Sequence, residues 1–142
     1  MKVRELSERY SNPEEAFLNN NLAKLGDVLV NLIYSLGLSI AKGQADGDKI
    51  SNLVLSKALS RANLRDLAPS RVDRHQLGDF VEAIIAYSWV HEIIGINEAA
   101  EILAEALEKT DFSDRKKVQK AAEQGFKNLL LEISDRESLE EN

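Results

Sequence analysis

Residues 25–36 read LGDVLVNLIYSL, an apolar stretch that opens with a Gly-Asp pair. Glycine weakens a helix, and aspartate prefers caps and turns, so Asp27 is unexpected inside a core helix. The surrounding residues nevertheless predict a helix, because leucine and isoleucine recur every three or four positions. These residues are Leu22, Leu25, Leu29, Leu32, Ile33 and Leu36.

The composition is that of one globular domain. The chain has 142 residues, of which 44% are hydrophobic and 30% are charged. With only 2 prolines and 7 glycines, few positions break a helix. Since cysteine is absent, disulfides and thiolate metal sites are excluded.

The net charge and the hydropathy of the chain limit the classes of partner that we expect. The net charge of −6 argues against non-specific nucleic-acid binding by the whole surface, although residues 42–74 carry a local charge of +3 from seven Lys or Arg and four Asp. The apolar runs are shorter than the roughly 20 residues that span a bilayer, so we expect no membrane partner. The charged stretch 1–10 contains no apolar signal segment, and we expect a cytoplasmic protein.

The chain predicts an all-α domain of about six helices over residues 1–135, followed by an acidic, disordered tail at 136–142. Caps and breakers set the expected helix boundaries. We expect a first helix that starts at Asn12-Pro13, a break near 19–21, and a second helix that ends near Gly43. A helical segment over 48–67 is stopped by Pro69, and the next helix runs from the Asp73 cap to Ile94, with Gly95 as its C-terminal cap. Two further helices are expected over 97–109 and over 114–133, the last one capped by Ser113.

A polar stripe runs along the first apolar helix. Residues three or four apart share a helix face, so four polar side chains line up around Asp27. The stripe is either a solvated face or part of a site. Its members are Asn20, Lys24, Asp27 and Asn31.

A second Gly-Asp pair opens QLGDFVEAIIAYSWV at residues 76–90. Asp79 and Glu82 are three positions apart, so both carboxylates project from one face of an apolar helix. Buried together they would repel each other, and a divalent cation such as Mg²⁺, which prefers oxygen ligands, would resolve the conflict. The alternative is two exposed acids. His75, one turn before Asp79, could orient that carboxylate or a water, or could be structural.

Lys57, Arg61 and Arg65 are spaced four residues apart, which would make a basic ridge if the helix continues through all three. Such a ridge can lie along a phosphate backbone. It can equally be a solvated face.

Together, these motifs resemble the catalytic domain of ribonuclease III. The family has a helix ending in Leu-Gly-Asp, here residues 25–27, and a downstream Asp-x-x-Glu-Ala, here residues 79–83. The segment KISNLVLSKALSRANLRDLA at 49–68 is similar to the family's intervening helices. Asn20 and Ala23 stand where the family has glutamates, and LAKLGD is similar to the stand-alone branch called Mini-ribonuclease III. The small size of the chain is also similar to that of an archaeal ribonuclease III-like protein.

The resemblance implies a ribonuclease III endonuclease-domain fold and a homodimer that hydrolyses phosphodiesters of double-stranded or structured RNA. It implies Mg²⁺, or Mn²⁺, held by Asp27, Asp79 and Glu82, with Asp27 and Glu82 as catalytic residues. The dimer interface would come from residues 29–36 or 84–89. The residues expected to orient the metal ligands are Asn20, Lys24, Asn31 and His75, and those expected to contact RNA are Lys57, Arg61 and Arg65.

Two alternatives stay open. The chain could be a catalytically weakened RNA-binding or scaffold dimer, because Asn20 and Ala23 are not acids. It could also be an unrelated helical interaction protein, in which case Asp27, Asp79 and Glu82 would lie far apart.

Overall fold

A computed structural model describes residues 1–137, and over this range the protein consists of seven α-helices and one 3₁₀ turn, without strands. The all-α prediction is therefore confirmed. The helices are α1 (Glu5–Arg9), α2 (Pro13–Ala16), α3 (Asn20–Lys42), α4 (Asn52–Arg61), α5 (Arg74–Val90), α6 (Ile96–Leu107) and α7 (Arg115–Glu137), and the 3₁₀ turn is Arg65–Leu67.

Helix α5 is the centre of the domain. Residues 80–88 are all buried, because α3 and α4 both pack against this helix. Most residues in this part of α5 are apolar, as expected for a helical segment that is surrounded by protein. On the flanks of this centre, α6 packs against α3, and α7 packs against α4 and α6.

Helix α3 has the length and apolar composition of a membrane-spanning helix, a test that core helices of globular proteins also pass. One side of α3 is buried against α5 and α6, with Val30 and Ile33 inside the core. The opposite side carries several exposed apolar residues, described below.

The expected boundaries of α3 are confirmed. Asn19 caps its start by accepting a hydrogen bond from the Leu22 N–H. Gly43 ends it in the left-handed conformation, with φ of 74°, which favours glycine because it has no Cβ.

The end of α5 differs from the expectation. The helix stops at Val90, and the predicted cap Gly95 instead precedes α6 with an extended backbone. Glu92 adopts the left-handed conformation, with φ of 58°, and the N–H of Ile93 donates to the carbonyl of Ser88 at 2.8 Å. This is a Schellman ending in which glutamate occupies the usual glycine position, so the glycine rule was wrong here.

The start and end of α7 also differ. The carboxylate of Asp114, not Ser113, accepts hydrogen bonds from the N–H groups of residues 116 and 117 and caps the helix. The helix continues to Glu137, so the first two residues of the tail predicted at 136–142 belong to α7. Residues 138–142 of that predicted tail lie outside the described residues.

Candidate active site

Helices α3 and α5 touch through their backbones at Gly26. A Cβ atom on this residue would lie 1.9 Å from the carbonyl oxygen of Glu82 and 2.9 Å from its Cα. No side chain fits in that space, and the obstructing atoms belong to a helix backbone that cannot turn aside. Glycine at position 26 is therefore what allows the two helices to approach this closely.

This contact brings the three predicted acids together. Asp27 follows Gly26 on α3, and Asp79 and Glu82 come from α5; all three line one cleft of about 530 Å³. The reading in which these acids lie far apart is therefore wrong. The complete lining is Asn20, Ala23, Lys24, Asp27, Asn52, His75, Asp79 and Glu82.

The three carboxyl groups have different environments. Glu82 is buried, at 5% exposure, whereas Asp79 is partly exposed and Asp27 is exposed. Burial raises the pKa of Glu82 from 4.5 to about 8, with further contributions from the hydrogen bonds and negative charges of Asp27 and Asp79. Without a cation, the Glu82 carboxyl therefore holds a proton at neutral pH.

The chemistry of these donors fits a hard divalent cation. All three are carboxylates, the ligand type that Mg²⁺ and Mn²⁺ take in proteins, and within residues 1–137 the buried Glu82 forms no salt bridge. Within residues 1–137, however, no three His, Cys, Asp or Glu side chains are already arranged to hold a metal ion. Binding a cation would require Glu82 to release its proton.

His75 lies beside Asp79, as its spacing on α5 predicts. The side-chain amide nitrogen of Asn52 lies 2.7 Å from Nδ1 of His75 and must donate to it, so Nδ1 accepts and Nε2 carries the proton in the neutral ring. Nε2 lies 3.8 Å from Oδ2 of Asp79. His75 therefore presents an N–H group toward the Asp79 carboxylate.

Asn52 was missed by the sequence reasoning. A Cβ on Gly78 would lie 2.5 Å from the Asn52 Cγ, so the glycine of the second Gly-Asp pair makes room for this side chain. The only signal in the sequence is the Ser51 N-cap, which places position 52 at the start of α4. Nothing local indicates that the start of α4 reaches the cleft.

Asn31 connects Asp27 to the loop before α4. Its amide nitrogen donates to the main-chain oxygen of Asp27 at 2.9 Å and lies 3.4 Å from the carboxylate Oδ1, while its oxygen accepts a hydrogen bond from the Ile50 N–H at 2.8 Å. Ser35 and Ser39 bond the same loop further along α3. Asn31 therefore faces Asp27, whereas Asn20 and Lys24 line the cleft itself.

The predicted basic ridge does not form as one helical row. Helix α4 ends at Arg61, and Asn63, with φ of 62°, turns the chain before Arg65. Arg61 donates to Glu123 at 3.2 Å and to Gln124 at 2.6 Å, and Arg65 donates to main-chain oxygens of the loop that precedes α5. Of the three, Lys57 is exposed and has no ion-pair partner among the described residues, so RNA contact at this surface stays a prediction.

The two stretches considered for a dimer interface are not equivalent. Residues 84–88 are buried inside the protein, so they are not available to a partner. On α3, the side away from the core exposes Val28 at 65%, Leu32 at 42% and Ile40 at 51%. Val28 and Leu32 are four positions apart, and Ile40 follows eight positions later. We call these three residues the apolar stripe, and no described part of the chain covers them.

Comparison with known proteins indicates a family for the chain. A family model described as Ribonuclease III matches residues 20–139, which include every helix that lines the cleft. The family normally uses a divalent metal and acts on double-stranded RNA. A search of curated proteins finds no match.

Proposed function

The chain belongs to the ribonuclease III family, and on that premise we propose that it is a divalent-metal-dependent endoribonuclease that hydrolyses phosphodiester bonds of double-stranded or structured RNA. The observation that carries the proposal is the convergence of Asp27, Asp79 and Glu82 in one cleft. Two helices from distant parts of the chain supply these acids, and the absence of a side chain at Gly26 allows the helices to meet there.

Asp27, Asp79 and Glu82 would hold Mg²⁺, or Mn²⁺ in its place. When bound, the metal supplies Lewis-acid activation of a water and neutralises charge on the phosphate. Glu82 would release its proton to become a ligand, and its buried carboxylate would then have the metal as a positive partner. His75 directs its Nε2–H toward Asp79, and Asn31 fixes the backbone at Asp27.

We propose a homodimer as the active form, because two protomers offer one cleft to each strand of a duplex. The exposed apolar stripe of α3, Val28, Leu32 and Ile40, is the surface that supports this proposal. Burying such residues against a second copy would remove apolar area from water, at about 25 cal/mol per Å². The stripe belongs to the same helix as Asp27, so dimerisation would set the spacing between the two clefts.

The basic segment 42–74 supports RNA as the ligand, although the chain is acidic overall. Residues Asn52 and Lys57 of α4 belong to it, and Asn52 lines the cleft. Double-stranded RNA is recognised mainly by shape and by its phosphates and 2′-hydroxyls, which such a surface can contact without reading sequence.

The test is incubation of the purified protein with duplex RNA in the presence of Mg²⁺, Mn²⁺ or EDTA. We expect metal-dependent cleavage that Glu82→Gln reduces by at least about 100-fold, since the buried ligand is lost. Glu101→Gln is the matched control, because Glu101 is exposed on α6 outside the cleft. Cleavage that persists in Glu82→Gln, or that needs no metal, would contradict the assignment.

A second function is supported by Ala23 and Asn20, which line the cleft without offering a carboxylate. A cleft with three acids could serve a catalytically weakened RNA-binding or scaffold dimer. This form would bind duplex RNA with a steep salt dependence and leave it intact with every metal. Metal-dependent hydrolysis by the wild-type protein eliminates this alternative.

A further inference from the structure

One basic side chain, that of Lys24, lies among the acids of the cleft. Lys24 lines it together with Asp27, Asp79 and Glu82, and no other Lys or Arg among residues 1–137 belongs to the lining. Lys24 precedes Asp27 by three positions, so both side chains project from the same face of α3. The ammonium group of Lys24 therefore lies on the same side of the cleft as the Asp27 carboxylate.

Lys24 is not engaged in an ion pair. No carboxylate among residues 1–137 lies within 4.0 Å of its Nζ, and its side chain is exposed. The two arginines expected to contact RNA already have partners within the protein: Arg61 binds Glu123, and Arg65 binds main-chain oxygens of a loop. The Lys24 ammonium thus keeps its donors available for a ligand.

The charge of the cleft indicates which ligand this is. With one divalent cation bound and Glu82 ionised, the three carboxylates would still leave one net negative charge, which repels an RNA phosphate. The polar neighbours of Lys24 on its stripe, Asn20 and Asn31, carry no charge, so among residues 1–137 Lys24 supplies the positive charge on the α3 side of the cleft that attracts a phosphate. Its flexible stem lets the ammonium reach a non-bridging oxygen.

We propose that Lys24 is a phosphate-contacting residue, whose ammonium binds a non-bridging oxygen of the RNA strand beside the three carboxylates. This inference rests on the proposed function for its ligand. It assigns to Lys24 a direct contact with substrate, whereas the family resemblance led us to expect only an orienting role.

If Lys24 contacts a phosphate, its removal should change Mg²⁺ binding and RNA binding in opposite directions. Removing the positive charge should strengthen Mg²⁺ binding, because Lys24 repels a cation, and should weaken RNA binding, because Lys24 attracts a phosphate. For Lys24→Met we expect Mg²⁺ affinity without RNA to rise about 3- to 10-fold. The plot of log affinity for duplex RNA against log salt has a negative slope, whose magnitude should decrease by about 1. The value of kcat should fall about 10- to 100-fold.

The experiment measures Mg²⁺ binding by calorimetry and RNA binding across a salt series with Ca²⁺ replacing Mg²⁺. Lys24→Arg keeps the charge and should retain the wild-type Mg²⁺ affinity and salt slope. Lys120→Met is the matched control, since Lys120 is exposed on α7 outside the cleft and its loss should leave Mg²⁺ affinity unchanged. Circular dichroism checks that each variant is folded.

An unchanged salt slope in Lys24→Met would overturn the proposal, even if Mg²⁺ affinity rises, because the lysine would then only balance the acids. Equal effects of Lys24→Met and Lys120→Met on both measurements would also overturn it. Failure of the proposed function looks different: the wild-type protein would cleave no RNA with any metal. The salt slope still decides whether Lys24 contacts phosphate in that case, because it requires no turnover.

Discussion

Replacing Glu82 with glutamine should stabilise the metal-free protein at alkaline pH and change its stability little near pH 5. Glu82 is buried beside Asp27 and Asp79, and this environment raises its pKa from 4.5 to about 8. The folded protein therefore keeps a proton on Glu82 over a pH range in which the unfolded chain has already lost it. Glutamine, which has a similar shape and no charge, does not titrate.

The sign of the effect follows from proton linkage. Between about pH 4.5 and 8 the native state binds one more proton than the unfolded state, so the free energy of unfolding decreases as pH rises. The contribution of protonated Glu82 is fully present below the unfolded pKa and is lost as pH rises through the folded pKa. At 1.36 kcal/mol per pH unit, the full difference between 4.5 and about 8 corresponds to about 5 kcal/mol.

The cleft is open to water, which screens the repulsion between Glu82 and the two aspartates, so we expect about 2–4 kcal/mol at pH 9. For a domain of this size, about 3 °C of Tm corresponds to 1 kcal/mol. Glu82→Gln should therefore melt about 6–12 °C above the wild type at pH 9, and within about 2 °C of it at pH 5.

The assay is thermal unfolding in EDTA across this pH range, followed by circular dichroism. Glu101→Gln controls for loss of a surface carboxylate and should show no such pH-dependent difference, since Glu101 is exposed. A Glu82→Gln variant whose Tm difference from wild type is constant between pH 5 and 9 would refute the reasoning. So would a variant that is less stable than wild type at pH 9.

Three further predictions test the packing around the cleft and the apolar stripe. Gly26→Ala should cost about 3 kcal/mol or more, measured by urea unfolding, because its Cβ meets the backbone of Glu82; a cost under 1 kcal/mol would contradict the contact. Gly78→Ala should cost about 1–2 kcal/mol by the same measurement, because the Asn52 side chain can turn aside. Leu32→Asp should convert the proposed dimer to a folded monomer in analytical ultracentrifugation, since Leu32 is exposed at 42%; an unchanged mass would exclude this interface.

The sequence predicted that Asp27, Asp79 and Glu82 lie close together, but it did not predict which packing contact places them there. Two apolar helices with an acid after a glycine, at Asp27 and Asp79, predicted a shared cation site. Gly26 looked only like a weak helix residue, because the atom it must accommodate, the carbonyl oxygen of Glu82, belongs to another helix. Helical periodicity is a property of one segment, so it does not predict where two helices cross each other.

The same limit explains the misplaced helix ends. Gly43 was predictable because glycine is the residue that adopts φ of 74° at no steric cost. Glu92 and Asn63 adopt positive φ because the ends of α5 and α4 are closed by main-chain hydrogen bonds, as from Ile93 to Ser88. Those bonds outweigh the residue preference, so a rule based on glycine placed the cap at Gly95.

The two Gly-Asp pairs combine close packing with the placement of charge. Successive side chains on a helix point about 100° apart. When a glycine faces a neighbouring element, as Gly26 faces α5 and Gly78 faces Asn52, the aspartate that follows must point to the side of the contact, where it meets solvent. Glu82 lies at the contact itself and is therefore buried. One packing arrangement thus produces two accessible carboxylates and one protonated, buried carboxyl. Because a cation must displace that proton, its affinity should depend on pH through Glu82.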